Sequence, residues 1–296
     1  MKKAIVTGIA LILVGILIVI GGLFTMNYDL SRFQADSDDR ILTVTESFSN
    51  IVVEAGEANV VFTLSPDSRC RVTTKDYQNI MTTALVEEGT LTIRREDTRK
   101  WYQRIGIFFG DQTITVYLPQ DNWKDLTVAG NTGNVTIPEE FTFENVKVKV
   151  TTGHISVGSQ VGRELNLAVT TGDITVRDTV PGNATLSAST GGITCEDLQI
   201  LGDLRASAST GDVRLRNVVC GGQMTLETTT GDIKLTACDA DSLDLQCSTG
   251  DIQGTLLTGK LFEAQTGTGK IRIPASIPGG SCKLKTSTGN IQISIS

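Results

Sequence analysis

Three aspartates with nearly equal spacing, Asp212, Asp232 and Asp251, are the side chains in this sequence that could bind a cation. Each directly follows a glycine. On strands stacked ~4.8 Å apart, their like charges would repel one another, and a bound Ca²⁺ would relieve that repulsion. Asp after Gly also suits a tight turn, where its side chain accepts backbone N–H groups. The turn interpretation is favoured because calcium-binding β-rolls carry several Asp and Gly in every turn. We therefore predict no metal site and no cofactor.

Catalytic motifs are absent from the sequence. His154 is the only histidine, so no second ligand or His-centred triad can be built around it. Six cysteines occur at positions 70, 195, 220, 238, 247 and 282, and none forms a C-x-x-C pair. Most fall at apolar positions of the pattern described below, which predicts small buried side chains, although a bridge between adjacent coils stays open. We predict no enzymatic activity, and a carbohydrate-active β-helix enzyme is the less favoured alternative.

One segment, residues 99–110, combines bases with large aromatic side chains. Such a loop could contact the outer leaflet of a membrane or a protein partner. Alternatively, it could plug the open end of the fold, where large apolar side chains would cover the core. The candidate contact residues are Arg99, Lys100, Trp101, Tyr102, Arg104, Phe108 and Phe109.

A repeated phrase explains where these side chains must lie. Thr-Gly followed by a turn residue and Ile or Val occurs nine times, with the glycines at positions 133, 153, 172, 191, 211, 231, 250, 269 and 289. The positions seven, five and three before each Gly, and two and four after it, are nearly all apolar. That alternation predicts a strand, a tight turn and a second strand, each with one buried face. We predict an all-β solenoid of about nine ~20-residue coils.

Thr occupies the position before Gly in all nine repeats. Two interpretations remain open for this column. The hydroxyls could bond to one another along the stack as a ladder, and the branched Cβ would favour extended backbone. Alternatively, the flat threonine array could match a periodic lattice or a glycan.

The N-terminal part differs in composition from the repeats. Residues Ala4 to Met26 form an uncharged apolar run that is long enough to cross a bilayer as a helix, and Lys2 and Lys3 precede it. The positive-inside rule then places the N-terminus in the cytoplasm and the remainder outside the cell membrane. A cleaved signal peptide is the alternative, but the run is long for one. Net charge is −7, which argues against nucleic acid as a partner.

These observations divide the chain into three parts. Residues 1–28 contain the cytoplasmic N-terminus and the transmembrane anchor, 29–40 form a juxtamembrane linker, and 41–296 form the ectodomain. Within the ectodomain, 41–120 lack the repeated phrase and are expected to be opening coils or an irregular β cap, while 121–296 hold the repeats. The last strand, Ile291–Ile295, is expected to leave an open edge through which two copies could associate.

The repeats resemble a known bacterial family. The segments "FSNIVVEAGEANVVF", "ITVYLP", "TTGDITV" and "STGDIQG" are similar to β-strand-repeat proteins with a domain of unknown function labelled "putative adhesin", including LiaG-like and YvlB-like envelope proteins. The resemblance covers roughly residues 41–296. It implies an envelope location and a binding or sensing role, and it implies no catalytic residues.

The expected function is therefore non-enzymatic. As an envelope-stress accessory or sensor component, the anchored solenoid would contact an envelope protein through residues 99–110. As an adhesin or self-associating surface scaffold, it would instead bind a wall polymer or itself through the flat faces of the coils.

Overall fold

The computed structural model describes residues 37–77, 79–100 and 112–296, together with residues 8, 12, 14–17, 20 and 21, which are helical. Within this part of the chain, no helix has the length and apolarity that crossing a membrane requires. Most of the apolar run from Ala4 to Met26 lies outside the described residues, so the anchor stays a prediction.

The described residues form 23 strands. The first seven are β1 (Ser37–Val44), β2 (Asn50–Gly56), β3 (Asn59–Leu64), β4 (Cys70–Tyr77), β5 (Ile80–Glu87), β6 (Thr90–Asp97) and β7 (Thr113–Leu118). The next nine are β8 (Asn122–Thr132), β9 (Val135–Ile137), β10 (Thr142–Thr152), β11 (Ile155–Val157), β12 (Gln160–Thr171), β13 (Ile174–Arg177), β14 (Asn183–Thr190), β15 (Ile193–Ile200) and β16 (Leu204–Thr210). The last seven are β17 (Val213–Thr230), β18 (Ile233–Thr249), β19 (Ile252–Leu256), β20 (Leu261–Thr268), β21 (Ile271–Arg272), β22 (Ser281–Thr288) and β23 (Ile291–Ile295).

These strands build a β-solenoid, as the repeat predicts. Each coil has one strand before its Thr-Gly turn and one after it, and each strand pairs in parallel with the same strand of the next coil. The first face stacks as β6, β2, β8, β10, β12, β14, β16, the second halves of β17 and β18, β22 and β20. The second face stacks as β7, β3, β9, β11, β13, β15, the first halves of β17 and β18, β19, β23 and β21.

A narrow aliphatic core fills the space between the two faces. Register pairs such as Val148 with Leu167 and Ile155 with Ile174 place apolar side chains in columns along the axis. All of these side chains are buried. One coil could not bury its own apolar row, so the stacking of coils supplies the hydrophobic stabilisation.

The opening coils contain antiparallel strands that the periodicity does not predict. β2 with β3 and β6 with β7 form two coils that stack in parallel on the repeats. β5 then pairs antiparallel with β6, and β4 pairs antiparallel with both β1 and β7. Antiparallel pairing ends the parallel stack, so this segment closes the N-terminal end of the solenoid.

The C-terminal end corrects the prediction of an open edge at Ile291–Ile295. β22 lies between β18 and β20, and β23 lies between β19 and β21. The last repeat of the sequence is therefore inserted between the seventh and eighth repeats. The edge of the stack is formed by β20 and β21, whereas the strand that ends the chain is paired on both sides.

Candidate binding surfaces of the solenoid

Most residues that follow the turn glycines take part in a ladder of hydrogen bonds. A side-chain atom of each accepts the backbone N–H of the equivalent residue on the next coil. Asp212 Oδ1 accepts from Asp232 N at 2.7 Å, and Asp232 Oδ1 accepts from Asp251 N at 2.9 Å. Asn134 and His154 take part in the same way, His154 through its Nδ1. Gly192 has no side chain to offer, so the ladder lacks one step at Asp212.

The second carboxylate oxygen of each candidate calcium ligand is also occupied. Asp212 Oδ2 forms an ion pair with Arg214, and Asp232 Oδ2 lies 2.9 Å from Lys234 Nζ. Asp251 Oδ2 accepts a hydrogen bond from Gln253 at 3.0 Å. The bond from the Asp251 N–H and the bond from Lys234 lower the pKa of Asp232. Local cations and amides thus relieve the repulsion that a Ca²⁺ would otherwise relieve, and no acidic, His or Cys cluster suited to a metal occurs in the described residues.

All six cysteines lie in the described part, and each is free and buried. Burial raises the pKa of the Cys70, Cys195 and Cys282 thiols to about 12. Such thiols are protonated at neutral pH and react poorly. Cys247 instead serves as a donor, because its Sγ lies 3.1 Å from the Gly231 carbonyl oxygen. These cysteines are structural, as the sequence predicts.

The threonines before the turn glycines do not form the expected hydroxyl ladder. Their side chains are exposed, and in the described part of the chain no hydrogen bond joins the hydroxyls of two of them. Their backbone carbonyl oxygens instead accept hydrogen bonds from the turn glycines of the neighbouring coil. For example, Gly172 N donates to Thr190 O at 2.8 Å, and Gly191 N donates to Thr210 O at 2.8 Å. The hydroxyls therefore remain available on the surface.

A polar groove with a volume of ≈ 360 Å³ runs across five adjacent coils on the first face. It crosses β14, β16, β17, β18 and β22, in that spatial order. Two outward columns line it, at two and four positions before the turn glycine: Ser187, Ser189, Ser207, Ser209, Glu227, Thr229, Gln246, Ser248, Lys285 and Ser287. The insertion of the last repeat contributes to this groove because it places Lys285 beside Gln246.

The groove lies where the inward side chains become small. Three positions before the turn glycine, the second and third repeats have the buried residues Val150 and Val169. The repeats of the groove have Ala188, Ala208, Thr228, Cys247 and Thr286 there. Thr228 Oγ1 and Thr286 Oγ1 donate to the glycine carbonyl of the preceding coil, at 2.9 and 3.1 Å. Small residues inside and serines outside together leave a trough on the surface.

Only the first two residues of the predicted aromatic and basic contact segment are described. Arg99 Nη2 lies 2.7 Å from Asp97 Oδ2 and 3.3 Å from Glu57 Oε2. Lys100 is exposed and also interacts within the chain. Trp101, Tyr102, Arg104, Phe108 and Phe109 lie outside the described residues. The choice between a plug and a contact loop thus stays open.

The start of this segment shares a corner of the sheet with the start of β1. Ser37 pairs with Tyr77, Tyr77 with Ile80, and Ile80 with Asp97. Beside them, a cleft of ≈ 210 Å³ is lined by Glu57, Arg95, Asp97, Arg99 and Gln112, among others. β1 thus begins at Ser37, within the segment predicted to be a juxtamembrane linker, at the same corner of the sheet as Asp97, the last residue of β6.

Two features were not found from the sequence. The first is a cleft of ≈ 650 Å³ beside the stacked rings of Phe48 and Trp123, whose centroids are 5.1 Å apart. The second is a buried ion pair, in which Lys260 Nζ lies 2.7 Å from Asp239 Oδ1 and donates to Ala240 O at 2.7 Å. A lysine just before an apolar repeat strand could have signalled this pair, because buried lysines require a partner.

Comparison with known proteins identifies the family. Solved structures that the chain matches include a "putative adhesin" of Parabacteroides merdae, with 13% identity, TM-score 0.41 and coverage of 88% of this chain and 96% of that chain. Another "putative adhesin", from Bacteroides fragilis, has 13% identity, TM-score 0.43 and coverage of 88% and 97%. A "putative lipid binding protein" of Parabacteroides distasonis has 16% identity, TM-score 0.46 and coverage of 88% and 99%. No curated protein matches the chain.

The family assignment rests on the repeats themselves. The profile of the Toastrack DUF4097 family matches residues 48–236 and 187–296, which together include both the opening coils and all nine Thr-Gly turns. The resemblance seen in the sequence motifs is thus confirmed. The chain belongs to the Toastrack DUF4097 family.

Proposed function

We propose that this protein is a non-enzymatic binding protein of the cell envelope, and that it binds a linear, hydroxyl-rich polymer along the serine-lined groove. One observation carries the proposal: the groove crosses five coils and presents hydroxyl or amide side chains on each of them. Because the coils are ~4.8 Å apart, hydrogen-bonding groups recur along the groove at that interval. A polymer with donors and acceptors on every unit can match such a surface.

The charges along the groove favour a neutral or weakly charged ligand. Glu227 and Lys285 are the charged residues that line it, and their charges are opposite. The acidic balance of the whole chain also disfavours a polyanion. A wall glycan fits this description, and glycan hydroxyls can both donate to and accept from serine.

The same lining argues for binding over glycan cleavage. Glycoside hydrolysis usually needs two carboxyl groups on either side of the scissile bond. Among the described residues that line the groove, Glu227 is the only acid. We therefore assign the groove to recognition.

A matched pair of substitutions tests the groove. Ser209→Trp places an indole in it, whereas Thr170→Trp places one at the equivalent exposed position of an upstream coil that does not line it. We expect Ser209→Trp to weaken sedimentation with purified wall glycan by about tenfold, which corresponds to about 1.4 kcal/mol, and Thr170→Trp to leave it unchanged. Equal effects of the two substitutions, or no binding by the unsubstituted chain, would refute the proposal.

We also propose that residues 1–28 anchor the protein in the cell membrane as a single pass, with the N-terminus in the cytoplasm and the solenoid outside. The uncharged run from Ala4 to Met26 after Lys2 and Lys3 supports this topology. A cysteine placed at an exposed solenoid position such as Thr170 should react with a membrane-impermeant maleimide in intact cells. Labelling that occurs only after lysis would contradict the topology.

A second candidate function is an envelope-stress accessory or sensor component that contacts a membrane protein through residues 99–110. The shared corner of Ser37 and Asp97 supports it, because this corner brings that segment near the predicted anchor. In-cell cross-linking should then capture membrane proteins from the intact chain and lose them when residues 99–110 are replaced. Capture of wall glycan alone would favour the groove proposal.

A further inference from the structure

The inserted C-terminal repeat, residues 281–296, holds the end of the solenoid together. In the described chain, β20 pairs only with β22, and β21 pairs only with β23. The outer coil, residues 261–272, therefore has no direct strand contact with the seventh repeat. A slot remains between the seventh repeat and the outer coil, and the last 16 residues of the chain fill it.

The ladder of turn side chains is unbroken at this end in the observed order of coils. Asp251 Oδ1 accepts the N–H of Asn290 at 2.7 Å, and Asn290 Oδ1 accepts the N–H of Lys270 at 3.0 Å. The backbone N–H of Lys270 donates to Asn290 on the inner side. The lysine side chain has no acceptor, so it could not accept the N–H of a further coil on the outer side. The ladder is satisfied when the coil of Asn290 lies inside and the coil of Lys270 lies at the end.

The inserted repeat is joined to the outer coil by residues 273–280, which include Pro274 and Pro278. Eight extended residues can span ~27 Å. Two or three strand spacings amount to only ~10–15 Å, so this linker could also reach the slot of a second chain placed end to end.

The outer coil exposes apolar surface that such a second chain would cover. The core position Ile271 is 42% exposed, whereas its equivalents Ile252 and Ile291 on the inner coils are inaccessible. Leu261, at 53%, and Ile277 of the linker, at 51%, add exposed apolar surface at the same end. A second copy offers the same apolar end and also carries the one segment known to fit the slot. No different partner supplies both.

We propose that two copies of this chain associate end to end by exchanging residues 281–296, each inserting its terminal repeat into the slot of the other. The exchanged pair keeps every main-chain hydrogen bond of the slot and adds contact between the two outer coils. Exchange of an identical element is a low-cost route to a dimer, because the monomer has already been selected to form those contacts. The exchange does not rest on the proposed function, although the exchanged repeat brings Lys285 and Ser287 to the groove.

A cross-link between two residues that are paired across the slot tests the exchange. Asp244 and Lys283 lie side by side on β18 and β22, and both side chains point outward. Two full-length chains with different affinity tags are co-expressed, one with Asp244→Cys and the other with Lys283→Cys, and are treated with a short bis-maleimide. The native thiols are buried and react poorly. Exchange predicts a cross-linked species of twice the chain mass that carries both tags.

Two controls make either result interpretable. Glu227 and Gln246 are exposed neighbours on coils that do not exchange, so one chain with Glu227→Cys and another with Gln246→Cys should give no such species. A single chain with both Asp244→Cys and Lys283→Cys must cross-link within itself or within the exchanged pair, and failure to do so would refute the inserted order itself.

Shortening the linker sharpens the test. Deletion of residues 275–277 should make insertion within one chain harder and raise the fraction of the two-tag species. If the two-tag species stays at the level of the Glu227/Gln246 control in both the native and the shortened chain, while the double variant cross-links within itself, the exchange proposal is wrong.

Discussion

The two corners of each coil solve the same problem of reversing the chain in different ways. At the Thr-Gly corner, the turn glycines have φ between 133° and 151°, and a Cβ on any of them would overlap a backbone carbonyl of the neighbouring coil. At the opposite corner, Asp178, Asp197, Asn217 and Ala237 have φ between 51° and 58° and keep their side chains. The first corner is constrained by the neighbouring coil as well as by its own backbone.

This difference explains why one corner repeats in the sequence and the other does not. Left-handed backbone near φ +55° is accessible to Asn and Asp at modest cost, so the opposite corner tolerates several residue types. The close contact between stacked turn glycines leaves no room for a side chain larger than a hydrogen atom. The Thr-Gly corners therefore fix the coil spacing, and the faces between the corners are free to carry a binding surface.

The largest expected effect comes from adding a methyl group at the constrained corner. Gly211→Ala would force a Cβ into the carbonyl of Gly191 at a φ of 138°, and we expect a loss of about 3 kcal/mol or more in the free energy of unfolding. Gly89→Ala, where φ is +73° and nothing lies within 4 Å, should cost about 1 kcal/mol. Urea titration of both variants measures the difference, and equal losses would show that φ alone sets the requirement for glycine.

The next effect concerns the opposite corner at the C-terminal end, where Lys260 pairs with Asp239. Lys260→Met leaves a largely buried carboxylate without its cation, and we expect a loss of about 3 kcal/mol. Lys234→Met removes an exposed ion pair with Asp232 and should cost less than about 1 kcal/mol. Thermal unfolding of the two variants checks this contrast, and a similar loss in both would mean that burial of the Lys260 pair has no consequence.

The same ion pair also makes stability depend on pH. Burial acts to raise the pKa of Asp239, but the bonds from Lys260, Thr258 and the Ala240 N–H outweigh it and lower the pKa. The stability that Asp239 contributes is therefore present above its unfolded pKa of about 3.9 and is lost as the pH falls through the lower folded value. We expect the midpoint temperature of thermal unfolding of the native chain to decrease as the pH is lowered below about 4. The decrease should be smaller in Asp239→Asn, and an identical pH profile in that variant would contradict the assignment.

A smaller effect is expected from the ladder of turn side chains. Asp232→Ala removes the acceptor for the Asp251 N–H and should cost about 1 kcal/mol, whereas Asp232→Asn retains an acceptor oxygen and should cost less. Calcium at millimolar concentration should not change the melting temperature of the native chain, because both oxygens of Asp232 are already bonded. A rise in melting temperature that requires Asp232 would restore the calcium hypothesis.

The smallest expected effect is a gain at the tolerant corner. Ala237 has a φ of 52°, where Asn217 in the preceding coil has 53°. Ala237→Asn should stabilise the chain by about 0.5 kcal/mol, because Asn adopts this conformation more readily than Ala. Asn217→Ala should destabilise it, and it also removes a bond to Asp197. Changes of the same sign in the two variants would show that φ does not govern this corner.

The sequence predicts the columns, the turns and the buried cysteines because each depends only on spacing within one repeat. It does not predict the order of the last two coils, since both repeats present the same apolar pattern to a neighbour. One chemical difference between the two repeats fits the observed order: Lys270 lacks the side-chain acceptor that Asn290 has. The hydroxyl ladder was wrong for a related reason: backbone carbonyls, which sequence patterns do not distinguish, take the role assigned to threonine side chains.

The periodic pattern of apolar residues does not predict the groove either. The groove coincides with the coils at which the inward column changes from Val169 to Ala188 and Ala208. Depth on a surface depends on both faces of a strand, whereas an alternation pattern reports only which face is apolar. The antiparallel pairing of the opening strands was likewise not predicted, because such pairing leaves no fixed period.

Binding as a function of ligand length tests the central claim most directly. Titration of the full chain with wall glycan fragments of defined length should show affinity that rises with length and then levels off when the fragment spans the five coils, ~20 Å. A plateau at that length would place the ligand along the groove axis. Equal affinity for a single sugar unit and for long fragments, or no affinity at any length, would contradict the account.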